Sequence, residues 1–178
     1  MSRSSLEHKG KSPHLLTFDV VTISTSKYKL REQGSCEVQD VSGDLIVRLL
    51  EEAGHKVLSR VLIPDDPAMI VSILKKMLGD GRVDVVVTTG GTGVTRSDVT
   101  VETVRGVLEK ELPGFGEVFR RISYDRMGSA AILTRAIAGV KEGKVIFCLP
   151  GSPEAVETAV RNLIIPEASH IVKHAREP

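Results

Sequence analysis

Aromatic residues are scarce in this chain: they make up 3% of its 178 residues, and tryptophan is absent. Proteins that hold single-stranded nucleic acids stack the bases on aromatic side chains, so this scarcity speaks against that class. An excess of one charge is lacking too, since 24 lysines and arginines oppose 23 acidic residues and leave a net charge of +1. No basic field exists to hold a polyanion, and we predict no nucleic acid among the partners.

Cysteine is also rare, with Cys36 in a polar stretch and Cys148 in an apolar one. Neither has a second cysteine at metal-binding spacing, which predicts free thiols in a reducing compartment. No run of about 18 apolar residues occurs, and residues 1–13 are polar, without the apolar segment of a signal peptide. These absences predict a cytoplasmic protein without a membrane partner.

The length and the ordinary composition, with 41% hydrophobic and 26% charged residues, are typical of one α/β domain. We predict that this domain spans residues 14–178 and that residues 1–13 form a mobile arm.

The chain is organised around residues 83–100, V-D-V-V-V-T-T-G-G-T-G-V-T-R-S-D-V-T. The β-branched run at its start suits a central strand, buried on both faces of a parallel sheet. Three glycines within four residues then break the pattern, and a helical apolar period resumes at Val101 and Val104. We therefore predict a strand, a glycine-rich turn, and a helix that Thr100 caps and that runs to about Glu111.

The glycine-rich turn is a candidate anion site. Glycine accepts positive φ and lets a ligand approach bare backbone N–H groups, which bind phosphate beside a helix N-terminus. The turn matches neither the dinucleotide fingerprint, whose third glycine would fall at Arg96, nor the Walker A loop, since the chain has no G-K-[ST]. A tight turn that binds nothing is the alternative. Arg96 and Asp98 favour a functional site, because neither has a packing reason to be there.

Two neighbouring acids follow the strand predicted at residues 56–63, and local chemistry separates them. In P-D-D-P, Pro67 suits the first position of a helix, which makes Asp66 the natural N-cap. Asp65 has no capping duty and lies at the carboxyl end of a strand, where ligands of open α/β sheets bind. Asp65 is therefore the candidate functional residue of the pair.

Earlier in the chain, residues 14–25 are predicted as the first strand. A polar loop is predicted after it, whose Lys27, Lys29 and Arg31 either meet an anionic ligand or lie on a solvated surface. Asp40 is the predicted N-cap of the next helix.

The second half of the chain holds a second candidate anion site. Residues 133–140 and 144–149 are predicted as a hairpin, which follows a helix at about residues 117–127 whose apolar side belongs to the core or to a subunit contact. In L-P-G-S-P-E, Ser152 is the predicted N-cap of a helix with proline at its first position. Gly151 leaves the amino end of that helix open to an anion, although a purely structural helix fits the spacing equally well.

These motifs resemble the MoaB/MogA family of molybdenum-cofactor biosynthesis proteins, and the chain looks closer to MoaB. The resemblance covers about residues 14–170. One departure is Val101, where many members have a proline that preorganises the helix. The motifs that carry the resemblance are T-T-G-G-T-G-V-T-R-S-D-V-T at residues 88–100 and L-P-G-S-P at 149–153, supported by I-P-D-D at 63–66, D-V-S-G-D at 40–44 and P-G-F-G-E at 113–117.

The resemblance implies a three-layer α/β/α sandwich on a mostly parallel sheet with one antiparallel strand. It implies a molybdopterin adenylyltransferase, a magnesium-dependent nucleotidyltransferase that converts MgATP and molybdopterin into adenylyl-molybdopterin and pyrophosphate. The family's two functional aspartates fall on Asp65 and Asp98, as catalytic residues and Mg²⁺ ligands. Family members are homo-oligomers, so a hexamer is expected and a trimer is the alternative. The positions implied to bind nucleotide or molybdopterin are Thr89, Gly90, Gly91, Thr92, Gly93, Gly151, Ser152, Ser24 and Asp40.

The expected reaction needs no general base, because the phosphate of the pterin is already ionised at neutral pH. It needs charge neutralisation and in-line alignment, and Mg²⁺ typically takes one or two carboxylates plus substrate phosphates. Two other functions stay open. One is a non-catalytic carrier or scaffold for molybdopterin or nucleotide, against which the retained Asp65 and Asp98 speak. The other is a sugar or pyrophosphate-utilising phosphotransferase, which leaves the second anion-ready helix terminus unexplained.

Overall fold

The computed structural model describes residues 15–34 and 38–177 of the chain. The arm predicted over residues 1–13 and the thiol of Cys36 lie outside the described residues. The strands are β1 (Thr17–Ile23), β2 (Lys56–Ile63), β3 (Val85–Thr89), β4 (Lys110–Glu111), β5 (Ile137–Lys141) and β6 (Lys144–Leu149). They form a six-stranded sheet in the order β2-β1-β3-β6-β5-β4.

The sheet is mostly parallel. Strands β2, β1, β3 and β6 are parallel neighbours, and β5 pairs antiparallel with β6 on one side and with β4 on the other. Strand β5 alone therefore runs against the rest, and the predicted fold class is confirmed. Strand β2 has the predicted bounds, and the predicted central strand is buried at every position of β3.

Helices cover both faces of the sheet. They are α1 (Thr25–Glu32), α2 (Val41–Glu52), α3 (Pro67–Gly79), α4 (Thr100–Val107), α5 (Pro113–Met127), α6 (Pro153–Ala159) and α7 (Ile165–Ala175), with a 3₁₀ turn at Gly128–Leu133 and a π-helical turn at Val160–Ile164. Helices α2, α5, α6 and α7 bury apolar residues on one face, and α3 and α4 bury theirs on the other. In β3, Val85 and Val87 join the first core and Val86 joins the second, as the alternation of side chains along a strand requires. None of the described helices is both long enough and apolar enough to cross a membrane.

Three predicted helix caps are confirmed. The Met69 N–H donates to Asp66 Oδ1 at 2.8 Å, and Pro67 opens α3. Asp40 accepts a hydrogen bond from the N–H of Gly43 at the start of α2, and Ser152 caps α6. Each cap satisfies an N–H group that has no partner within its helix.

The predicted loop after the first strand is wrong. Strand β1 ends at Ile23, Ser24 is an N-cap, and α1 occupies Thr25–Glu32, with Lys27, Lys29 and Arg31 in it. Helix α1 buries none of its residues, so it lacks the apolar period by which a helix is recognised in a sequence.

The boundaries of the middle segment also differ from the prediction. Helix α4 ends at Val107 rather than at about Glu111, because Leu108 has extended backbone and the two residues of β4 pair with β5. Helix α5 begins at Pro113, four residues earlier than predicted, because proline suits the first helical position. The hairpin is confirmed, but β5 starts at Ile137 instead of residue 133, where the 3₁₀ turn ends.

Cys148 lies in β6 as a buried free thiol. Burial raises the pKa of this thiol to about 12. The side chain is therefore neutral at physiological pH and packs as a small apolar group, which confirms the predicted free thiol for this cysteine.

Candidate functional site

The carboxyl ends of four parallel strands meet at one edge of the sheet, which we call the carboxyl edge. The strand register places Ile23 of β1 beside Ile63 of β2. Thr89 of β3 pairs with Thr22 of β1 and with Leu149 of β6. Most of the predicted site residues lie in the segments that follow these ends: Ser24 after β1, Asp65 after β2, the glycine loop of residues 90–93 after β3, and Gly151 and Ser152 after β6.

The loops that follow β3 and β6 are joined to each other. The N–H of Gly90 donates to the carbonyl of Leu149 at 3.0 Å, and Thr89 Oγ1 donates to the carbonyl of Pro150 at 2.8 Å. Ser42 Oγ, from α2, donates to the carbonyl of Gly151 at 2.7 Å. The two predicted anion sites are therefore parts of one surface, and the hydroxyl of Thr89 holds its two loops together.

The glycine loop has a backbone that only glycine adopts easily. Gly90 has φ of 102° and Gly91 has φ of 62°, both in the region that side chains disfavour. A Cβ atom on Gly90 would lie 2.2 Å from the carbonyl oxygen of Ile23. Among the residues that the structure describes, no acceptor pairs with the N–H groups of Gly91 and Thr92. These two donors therefore remain for a ligand of negative charge.

The side chain of Asp65 lies between the start of α1 and the glycine loop. Its Oδ2 accepts hydrogen bonds from the N–H of Thr25 at 2.8 Å and from Thr25 Oγ1 at 2.9 Å. The expectation that Asp65 has no duty at a helix start is therefore wrong, because this carboxylate satisfies the first N–H of α1. Its other oxygen, Oδ1, lies 2.4 Å from the position that a Cβ atom would take on Gly91. One oxygen anchors the side chain, and the other faces the glycine loop.

Asp98 follows the same loop in the chain and lies against Gly93. Its Oδ2 accepts hydrogen bonds from the N–H of Thr95 at 2.9 Å and from Thr95 Oγ1 at 2.6 Å. The same oxygen lies 2.7 Å from the position of a Cβ atom on Gly93. The hydrogen bond from the Thr95 hydroxyl, with smaller contributions from the N–H groups of Thr95 and Gly93, lowers the pKa of Asp98. The carboxylate therefore stays charged at neutral pH.

The helix after this loop starts without a side-chain cap. Helix α4 begins at Thr100, and Val99 before it makes no capping hydrogen bond. The prediction that Thr100 caps the helix is therefore wrong. Its hydroxyl has no hydrogen-bond partner at all in the described part of the chain.

The two carboxylates fit a metal ion that arrives with a phosphate ligand. Within residues 15–34 and 38–177, no group of three or more His, Cys, Asp or Glu side chains is placed to hold a metal ion. A dedicated protein site is therefore not formed there. Mg²⁺, however, usually takes one or two carboxylates and completes its shell with water and substrate phosphates. Asp65 and Asp98, which lie against Gly91 and Gly93 of the glycine loop, are donors of that kind.

Asp40 also lies near the carboxyl edge, but its carboxylate has partners within the protein. Oδ2 accepts hydrogen bonds from Thr22 Oγ1 at 2.6 Å and from Arg60 Nη2 at 2.7 Å, and Lys27 Nζ lies 3.7 Å from Oδ1. Burial alone raises the pKa of Asp40, but the hydrogen bonds from Thr22 and Arg60 outweigh it and lower the pKa. These contacts give Asp40 a structural role, and its role toward a ligand stays a prediction.

Ser24 lies between the ends of β1 and β2. Its N–H donates to the carbonyl of Ile63 at 2.9 Å, and its Oγ accepts a weak hydrogen bond of 3.5 Å from the N–H of Lys27. The side chain is half-buried beside the anchor of Asp65. The structure thus places Ser24 at the predicted edge, and its contact with a ligand also stays a prediction.

Arg135 belongs to the site, although no sequence pattern pointed to it. Its Nε donates to the carbonyl of Thr92 at 3.0 Å. Its two terminal nitrogens bind the carboxylate of Glu102, on α4, at 2.5 and 3.2 Å. A bidentate pair fixes the guanidinium plane, so Arg135 holds the glycine loop against the first turn of α4.

Replacing Arg135 with alanine is expected to loosen the glycine loop. The half-exposed ion pair with Glu102 contributes only about 1 kcal/mol, so unfolding should shift little, whereas MgATP affinity should fall about three- to tenfold because the carbonyl of Thr92 loses its donor. Calorimetric titration with MgATP measures this. Arg105→Ala is the matched control, since Arg105 pairs with Glu111 away from the loop. Equal affinities for the two variants would contradict the role of Arg135.

Fold and site together define a class: an α/β protein whose glycine loop, flanked by two carboxylates, is suited to bind a phosphate group. The chain belongs to the family described as "Probable molybdopterin binding domain", whose model matches residues 19–170. The predicted family is confirmed.

Named relatives cover nearly the whole chain. "Molybdenum cofactor biosynthesis protein B" of Bacillus cereus is 45% identical over 169 residues, which are 94% of this chain and 95% of the relative. "Molybdopterin adenylyltransferase" of Pyrococcus furiosus is 43% identical over 175 residues, 96% of this chain and 98% of the relative. The crystal structure of the tungsten cofactor synthesizing protein MoaB from Pyrococcus furiosus matches with a TM-score of 0.80 and 40% identity, and covers 93% of this chain and 100% of that one.

Proposed function

We propose that this protein is a molybdopterin adenylyltransferase of molybdenum or tungsten cofactor biosynthesis. It transfers AMP from MgATP to the phosphate of molybdopterin and releases pyrophosphate. The relative from Pyrococcus furiosus carries the name of this activity at 43% identity. The observation that carries the proposal is the placement of Asp65 and Asp98 against Gly91 and Gly93 of one loop.

The chain's own contribution begins with binding of the phosphates. The N–H groups of Gly91 and Thr92 donate to phosphate oxygens, since the structure gives them no internal acceptor among the described residues. The N–H of Gly90 is already bonded to Leu149, so it shapes the loop and does not bind the ligand. The glycine loop therefore binds the phosphate anion at the carboxyl edge through its backbone N–H groups.

Asp65 and Asp98 hold the magnesium ion of MgATP. The anchored carboxylate of Asp65 offers Oδ1, and the lowered pKa of Asp98 keeps that group charged. When bound, Mg²⁺ neutralises charge on the nucleotide phosphates. The two side chains follow different strands, β2 and β3, and together they fix the nucleotide against the glycine loop.

The loop after β6 lies beside the glycine loop on the same surface. Gly151 and Ser152 are exposed and lie next to Gly90, with a Cβ position on Gly151 only 3.3 Å from the Cα atom of Gly90. An oxygen of the pterin phosphate attacks the α-phosphorus of ATP, and the bond from that phosphorus to the bridging oxygen breaks, so that pyrophosphate leaves. The two loops together align these two phosphates in line, and no side chain is needed as a base.

The test is pyrophosphate release in a mixture of protein, MgATP and molybdopterin. The proposal predicts release that depends on all three components. A non-catalytic carrier would bind molybdopterin or nucleotide and release no pyrophosphate, and that result would refute the enzyme.

The proposal includes a cytoplasmic homo-oligomer, a hexamer rather than a trimer, on the basis of the resemblance to MoaB. Exposed apolar side chains lie along α5 and the 3₁₀ turn after it, where a subunit contact would cover them. Tyr124 is 59% exposed, and Ile132 and Leu133 are 83% and 61% exposed.

Replacing Leu133 with glutamate is expected to shift the protein toward smaller species in sedimentation velocity, because a charge would be buried in the contact. Leu30→Glu is the control: Leu30 is 49% exposed on α1 and should not affect assembly. A monomeric wild-type protein, or an unchanged oligomer of the Leu133 variant, would contradict this contact.

A further inference from the structure

The side-chain hydroxyl of Thr100 lies beside the glycine loop and has no hydrogen-bond partner among the described residues. Thr100 is completely buried, and its Oγ1 is the one buried side-chain nitrogen or oxygen atom of the described residues without a hydrogen-bond partner. Threonines nearby are satisfied: Thr89 Oγ1 donates to Pro150, and Thr103 Oγ1 donates to the carbonyl of Val99 at 2.7 Å. Buried hydroxyls are nearly always paired because an unpaired one destabilises the fold, so this exception needs an explanation.

The unsatisfied hydroxyl points at the glycine loop and at Asp65. Thr100 Oγ1 lies 2.2 Å from the position that a Cβ atom would take on Gly91, and Asp65 Oδ1 lies 2.4 Å from the same position. The two oxygens therefore come together over the bare Cα atom of Gly91. The backbone holds this arrangement, since the N–H of Thr100 donates to the carbonyl of Gly91 at 3.0 Å.

Asp65 has one oxygen left for this hydroxyl. Its Oδ2 is occupied by the N–H and the hydroxyl of Thr25, whereas Oδ1 is the oxygen that faces Gly91 and Thr100. Thr100 Oγ1 has almost no solvent-accessible area, so a bound nucleotide cannot touch it directly. An effect of this hydroxyl on binding is therefore indirect, and Asp65 Oδ1 is the polar side-chain atom beside it over Gly91.

We propose that Thr100 is a positioning residue for Asp65: its hydroxyl donates a hydrogen bond to Asp65 Oδ1 once a metal–phosphate ligand engages that carboxylate. The inference rests on the proposed function, in which Asp65 holds the magnesium ion of MgATP. A ligated carboxylate oxygen retains a lone pair, and a hydroxyl that donates to it fixes the orientation of the carboxylate. The hydroxyl is unsatisfied without the ligand and satisfied with it, so the difference adds to the affinity.

Thr100→Val tests the inference, because valine keeps the shape and removes the hydroxyl. The ligand-free variant should melt at or above the wild-type Tm, since an unpaired hydroxyl has been removed. Its affinity for MgATP should fall about tenfold, with a smaller rise of Tm on MgATP addition. Thr100→Ser keeps the hydroxyl and should restore the affinity.

Thr103→Val is the matched control on the same helix. Its hydroxyl is paired with the carbonyl of Val99, which also accepts the N–H of Thr103 at 3.0 Å, so this variant should stay near the wild type in ligand-free stability and in MgATP affinity. The inference is overturned if Thr100→Val is less stable without ligand than the wild type and Thr103→Val, or if it binds MgATP as tightly as the wild type. If the wild-type protein does not bind MgATP, the proposed function is refuted and the inference with it. If the wild-type protein binds MgATP and the Thr100→Val variant binds it equally well, only the inference is overturned.

Discussion

Replacing either Asp65 or Asp98 with asparagine is expected to lower adenylylation about 100-fold or more while the protein stays folded. The metal ion supplies several kcal/mol of charge stabilisation to the reaction, and an amide is a poor ligand for Mg²⁺ compared with a carboxylate. The fold should persist because an amide oxygen still accepts the hydrogen bonds that Thr25 gives to Asp65 and that Thr95 gives to Asp98. Initial rates of pyrophosphate release measure the loss.

Asp66→Asn is the matched control for these variants. Asp66 is the direct neighbour of Asp65, but its carboxylate caps α3 through the N–H of Met69. Asparagine is an equally good N-cap, so this variant removes a nearby charge and keeps the helix. We expect its activity to stay near that of the wild type. If Asp65→Asn and Asp98→Asn both turned over at the rate of Asp66→Asn, the two carboxylates would not be the metal ligands.

Among glycine-to-alanine substitutions in the site, Gly90→Ala is expected to be the most damaging. The new Cβ atom would lie 2.2 Å from the backbone oxygen of Ile23, and the residue would have to keep φ of 102°. A backbone atom cannot move aside as a flexible side chain does, so β1 and β3 would have to separate. We expect a loss of roughly 2–4 kcal/mol of unfolding free energy, which corresponds to a Tm lower by about 5–15 °C, and loss of measurable MgATP binding.

Gly106→Ala separates this effect from the general consequence of adding a methyl group. Gly106 lies in α4, and a Cβ atom there would meet no atom within 4 Å. Alanine in a helix is more favourable than glycine by up to about 1 kcal/mol, so this variant should melt at or above the wild-type Tm. Thermal unfolding and MgATP titration of both variants provide the comparison. A Gly90→Ala protein with wild-type stability would show that the loop is not held as described.

The placement of the candidate site is predictable because its members follow strong local signals. The buried valines of β3 mark a parallel strand, and the ends of parallel strands share an edge, so Asp65, the glycine loop and Gly151 were expected to meet there. The caps at Asp66 and Ser152 were predictable for the same reason, since capping needs only the residues within one helical turn.

The features that could not be predicted depend on contacts between distant parts of the chain. Helix α1 buries no residue, and the N–H of Thr25 at its start is satisfied by Asp65, 40 residues away. Arg135 reaches Thr92 across 43 residues, and no motif links the two. The local pattern around Thr100 favoured a cap, but the hydroxyl faces Gly91 instead. Side-chain partners of this kind are set by packing, which spacing along the sequence does not report.

The proposed function requires that Asp65 and Asp98 act on one metal–phosphate ligand held by the glycine loop. A crystal structure of the protein with Mg²⁺ and a non-hydrolysable ATP analogue tests it most directly. We expect phosphate oxygens on the N–H groups of Gly91 and Thr92, with both carboxylates bound to the metal ion of the nucleotide. Phosphates bound elsewhere on the protein, or a metal ion that neither carboxylate contacts, would contradict it.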